Sequence, residues 1–97
     1  MSSKYFAVTP IDQSELFKWA SKNEMKLIGQ PVTLPSCQRA WELDTQDNAE
    51  IHLDMALLGQ GRMRLMNDQK AIGIAHFDHL MANRTGINYV VVSPFCF

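Results

Sequence analysis

The sequence predicts an α+β domain: an N-terminal helix packed on an antiparallel β-meander of four to six strands, with a short second helix before the last strand. Three observations carry this prediction. Apolar residues between positions 16 and 20 recur at helical spacing, those from Trp41 to Ile74 alternate with polar ones, and Gly, Asn and Asp punctuate the alternating stretches. The 97 residues are the length of one small domain, 1–97, and 46% apolar with 20% charged residues places the chain among globular rather than disordered proteins.

Lys4 to Val8 reads as a strand. Thr9-Pro10 then supplies a hydroxyl cap and a proline suited to a first helical position, and Asp12 falls in the first turn, so a helix is expected to about Glu24. Leu16, Phe17, Trp19 and Ala20 share one side of it, with Glu15, Lys18 and Lys22 on the other. Gly29 to Pro35 holds two prolines and a glycine and reads as an extended connection.

From Arg39 the period becomes two. Trp41 and Leu43 alternate with Glu42 and Asp44, and Ile51, Leu53, Met55 and Leu57 alternate with Glu50, His52, Asp54 and Ala56. A helix over 49–58 fits less well, because Ile51 and Met55 would then oppose Leu53 and Leu57 and leave no apolar stripe. Gly59-Gln60-Gly61 is a turn, Arg62 to Met66 alternates again, Asn67-Asp68 signals a hairpin, and Lys70 to Phe77 returns. Trp41, Leu43, Ile51, Leu53, Met55, Met63, Leu65, Ile72 and Ile74 are expected on one face, beneath the first helix. Asp78 caps a short helix that Gly86 ends, and Ile87 to Val92, apolar on both sides, is expected at the centre of the sheet. The apolar end Pro94-Phe95-Cys96-Phe97 is expected to dock on the domain or be buried in a homo-oligomer.

Few chemical motifs survive scrutiny. Cys37 and Cys96 form no CxxC pair and read as small apolar side chains in a reducing compartment. Met1-Ser2-Ser3-Lys4-Tyr5 is not a secretory leader and no apolar run approaches about 20 residues, so a soluble cytoplasmic chain without a membrane span is expected. There is no Gly-x-Ser-x-Gly turn. Gly59 to Arg64 lacks the Gly-Lys-Ser/Thr ending of a phosphate loop, and residues 44–55 lack the Gly and Glu of a calcium loop. A net charge of −1 argues against direct nucleic-acid binding. No catalytic residue, metal or cofactor is assigned.

The strongest signal is a segregation of charge. Glu42, Asp44, Asp47, Glu50 and Asp54 fall within thirteen residues, and no Lys or Arg lies between Arg39 and Arg62. If 40–44 paired with 50–54, Glu42 would face His52 and Asp44 would face Glu50 in one solvated strip, with Trp41 beneath and Arg64 diagonal to Asp54. Like charges across strands are unfavourable, which suits retention for a partner. The expected function is therefore a small non-enzymatic interaction module, an inhibitor or adaptor of a nucleic-acid-handling complex. It would present Glu42, Asp44, Asp47, Glu50, His52 and Asp54 to a basic protein surface. The alternative is a small ligand- or metal-binding enzyme domain using His52, His76, His79 and Asp78.

Overall fold

The computed structural model describes residues 3–9, 12–45, 50–54, 59 and 61–95. Along the chain run β1 (Ser3–Val8), α1 (Gln13–Lys22), β2 (Met25–Thr33), β3 (Arg39–Thr45), β4 (Ile51–Asp54), β5 (Arg62–Asn67), β6 (Lys70–Phe77), α2 (His79–Thr85) and β7 (Asn88–Pro94). The α+β class is as expected. The sheet, however, has seven strands among the described residues, in the order β2-β3-β1-β7-β6-β5-β4. It is mixed: β1 lies parallel to β7, and every other neighbouring pair is antiparallel. The meander is real from β4 to β7, where successive strands are neighbours. β1 instead inserts between β3 and β7, a pairing between the two ends of the chain that local turn signals do not encode.

β7 takes the middle position because Tyr89, Val90, Val91 and Val92 are all apolar or aromatic and all buried, on both faces. On one face Leu16, Trp19 and Ala20 of α1 pack against Ala7, Leu43, Leu65, Ala75, Val90 and Val92. On the other, Met81 of α2 closes over Phe6, Val8, Tyr89 and Val91, with Leu34 and Ala40. Asp78 caps α2 by accepting from the Met81 amide at 3.0 Å, and Gly86 ends it at φ 73°, a conformation that glycine adopts without strain.

Four expectations are corrected. The cap of α1 is Asp12, whose Oδ1 accepts from the Ser14 amide at 2.9 Å, so the helix begins three residues later than the Thr9-Pro10 signal implies. Thr9 is engaged elsewhere, its amide and hydroxyl both donating to the Arg39 carbonyl. Second, 29–33 is strand rather than connection. Ile28 faces Glu42 and Val32 faces Ala40, so Gly29, Gln30 and Pro31 together oppose Trp41 in a bulge; β2 is an edge strand, where a proline without an amide is tolerated.

Third, β3 and β4 do not pair. Glu42 lies between Ile28 and Phe6, Asp44 faces Lys26, and β4 pairs with β5 at the opposite edge, His52 facing Met66. Alternation marks a strand as half-buried without naming its partner. Fourth, Ile74 leaves the α1 face. Leu65 faces Gly73 while Met66 faces Ala71, which makes Ile72 the extra residue of a bulge; Ile72 and Ala75 then join the core and Ile74 stands between Arg64 and Ser93. Met55, Leu57, Asp47, Cys96 and Phe97 lie outside the described residues.

Candidate binding site

The fold spreads the described members of the predicted acidic set, and two of them, Asp44 and Asp54, stand beside a base. Asp44 is exposed opposite Lys26, and Lys4 lines the same small hollow as Asp44. Asp54 faces Arg64 directly rather than diagonally, with Oδ2 3.0 Å from Nη2. Glu42 is half-buried, while Glu50 and His52 are exposed. One part of the expected convergence survives in another form: Asp44 and Leu43 of β3, Ile51 of β4 and Ser3, Lys4 and Tyr5 of β1 line one hollow of about 280 Å³. Strands at well-separated positions in the sheet order meet there because the sheet curls over the core shared by Tyr5, Leu43 and Ile51.

The histidines do not assemble. His52 faces Met66, which faces Ala71, whereas His76 lies five residues further along β6, about 16 Å at roughly 3.3 Å per residue. Among the described residues no three of His, Cys, Asp and Glu come close enough to hold an ion. Asp78 is committed to its cap, and His79 shares a hollow of about 280 Å³ with Phe77 and Tyr89. Tyr89 stacks on Phe6 with ring centres 4.0 Å apart, and its buried hydroxyl has no hydrogen-bond partner among the described residues. Burial, reinforced by the Asp78 and Glu42 carboxylates, pushes that phenol up to about 12.

A cleft of about 480 Å³ opens between α1, the start of β6 and the end of β7. Its size falls within the usual range for small-molecule sites. Lys18 and Lys22, one helical turn apart, enter from α1 and Lys70 enters from the β5–β6 hairpin. Glu15 brings the only carboxylate among the described lining residues, 3.8 Å from the ammonium of Lys18, whose own side chain is largely in solvent. Lys22 and Lys70 have no ion pair among the described residues.

The floor is apolar and fixed. Trp19, Ala71 and Ile72 form it, and the Phe95 ring, 38% exposed, stands at its side. The Trp19 indole and the Phe95 amide both donate to the Ile72 carbonyl, at 3.0 and 2.9 Å. Asn23 closes one end: its Nδ2 donates to the Trp19 carbonyl at 2.8 Å and its Oδ1 accepts from Asn67 at 3.2 Å. Amines above an apolar floor can hold an anion. Among the described residues no histidine, cysteine or hydroxyl lines the cleft to move a proton or attack a substrate.

By sequence alone Lys18 and Lys22 belong to a solvated helix face and Lys70 to the start of a strand. No local signal joins them, because their meeting with Phe95 depends on how α1, β6 and β7 pack together. Comparison of the chain with protein-family models, curated proteins and solved structures finds no match in any of the three. No helix among the described residues is long and apolar enough to cross a bilayer.

Proposed function

We propose that this protein is a non-enzymatic binding module that holds a small anionic molecule in the cleft between α1 and β6. The observation that carries this reading is that Lys18, Lys22 and Lys70 line one cleft with a single carboxylate among its described residues. Three ammonium groups over low-dielectric walls concentrate positive potential where an anion can also shed water. The test is titration of labelled protein with acetate, phosphate and octanoate at low salt, followed by amide chemical shifts. Shifts should cluster at residues 18–23, 70–72 and 95 and shrink in Lys22→Ala with Lys70→Ala. Anions that perturb only other surfaces, or none, would sink the reading.

A second reading keeps the inhibitor or adaptor role, with the acidic strands docking on a basic protein of a nucleic-acid-handling complex. It is favoured by the shared hollow of Asp44 and Ile51, which draws the ends of β3 and β4 together beside Glu50. Lys4 and Lys26 beside Asp44 weaken the field available to such a partner. The two readings call for ligands of opposite charge. Binding of oligolysine at low salt that is lost in Glu42→Lys with Asp44→Lys would favour the acidic strands, and unchanged binding in that variant would exclude them.

A further inference from the structure

We infer that the occupant of the α1–β6 cleft is an amphiphilic organic anion, a carboxylate carrying an apolar chain of several carbons, rather than an inorganic or fully polar anion. This rests on the anion-binding reading above and narrows it. The charge and the apolar surface come from different residues of the cleft: Lys18, Lys22 and Lys70 supply flexible ammonium heads, while the Phe95 ring, 38% exposed, supplies apolar surface beside the nearly buried Trp19 and Ile72. A phosphate or a small polar acid would satisfy the amines and leave that surface wet.

Two details make the apolar part a built feature. Trp19 is 5% exposed and locked by its bond to the Ile72 carbonyl, so it forms a wall that need not reorganise to receive a ligand. Phe95 is held by its backbone to the same carbonyl yet keeps its ring 38% exposed, an aromatic surface placed beside the cleft rather than withdrawn into the core. A large aromatic side chain in water gains by being covered, and an apolar chain lying along it covers it. Lysine rather than arginine at all three positions suits a single carboxylate approached as a point charge, without the planar two-pronged match that arginine makes.

The experiment is a calorimetric or NMR titration of the full chain with acetate, butanoate, hexanoate, octanoate and inorganic phosphate, and with octanamide as the uncharged match for octanoate. Affinity should rise about two- to fourfold for each added methylene from butanoate to octanoate, as expected for partial to full burial of each group. Octanamide should bind several-fold more weakly than octanoate. Phe95→Ala should weaken octanoate binding and flatten the chain-length dependence.

Octanoate binding within twofold of acetate, or phosphate binding more tightly than octanoate, would overturn this inference and leave the anion-binding reading standing. Octanamide binding as well as octanoate would overturn both, as would the absence of any binding. The wild-type chain-length series keeps the proposal falsifiable even if Phe95→Ala does not fold.

Discussion

The Trp19 indole donates to the Ile72 carbonyl at 3.0 Å across 53 positions of sequence, and that carbonyl belongs to the extra residue of the β6 bulge. A bulge disturbs the regular ladder, which leaves the Ile72 oxygen able to accept both from Trp19 and from the Phe95 amide. One acceptor thereby joins α1, β6 and the end of β7.

Trp19→Phe tests this junction. It removes one hydrogen bond while the Ile72 carbonyl keeps its bond to Phe95, and it takes away part of a buried ring. The expected loss is about 2 kcal/mol, a bond of about 1 kcal/mol plus the lost contact area. Urea unfolding should show a lower midpoint at unchanged slope. A midpoint equal to wild type would mean the bond holds nothing in place.

Gly73→Ala should destabilise by about 1–3 kcal/mol, the range expected for overpacking. A Cβ there would lie 2.9 Å from the Ser93 carbonyl oxygen and 3.3 Å from the Pro94 Cα. Both belong to the backbone of β7, the central strand, directly after Val90, Val91 and Val92, whose burial holds the strand in place. Thermal or urea unfolding of the variant checks this, and a stability within about 0.3 kcal/mol of wild type, the additivity error of such comparisons, would show that β7 shifts freely.

Gly73 also marks where the sequence was legible and where it was not. The second helix, the β5–β6 hairpin and the central strand follow from local signals: Asp78 and Gly86 at a helix's two ends, Asn67-Asp68 between alternating runs, and valines apolar on both sides. An isolated glycine inside a strand hints at a bulge but does not say which residue is extra, so Ile74 was expected on the wrong face. Thr9-Pro10 fits a helix start as well as Asp12 does, and the choice fell to the hydrogen bonds between Thr9 and Arg39, a tertiary contact. The acidic strip needed β3 beside β4. Burial of β1 between β3 and β7 overrode it, and the same strand order assembled the lysine cleft from segments about 50 residues apart in the chain.

Tyr89→Phe is expected to leave stability at pH 7 unchanged or to raise it by up to about 1 kcal/mol, because the buried hydroxyl lacks a partner and its removal relieves a desolvated group. The two proteins should diverge in alkali. A phenol at about 12 in the fold against 10.0 when exposed leaves stability intact below pH 10, and the loss grows as pH rises from 10 through 12. At pH 11 wild type should have lost about 1 kcal/mol that Tyr89→Phe retains. Parallel urea curves at pH 8, 9.5 and 11 measure the difference, and identical losses in the two proteins would refute the assignment.

Asp54→Asn separates stability from docking at the edge strand β4. Asp54 meets Arg64 at 3.0 Å, with the two side chains 34% and 40% exposed, so solvent screens the pair and its contribution is about 0.5 kcal/mol. The Arg64 Nε is buried without a hydrogen-bond partner among the described residues, so the contact falls short of the two-pronged geometry that makes such pairs strong. The variant should therefore lose about 0.5 kcal/mol at low salt and converge on wild type in 1 M salt, where charges are screened beyond about 3 Å. Since the Asp54 charge is already opposed by Arg64, the same substitution should leave oligolysine binding within twofold of wild type. A larger loss of binding, at unchanged stability, would return Asp54 to a docking surface and strengthen the acidic-strand reading over the cleft.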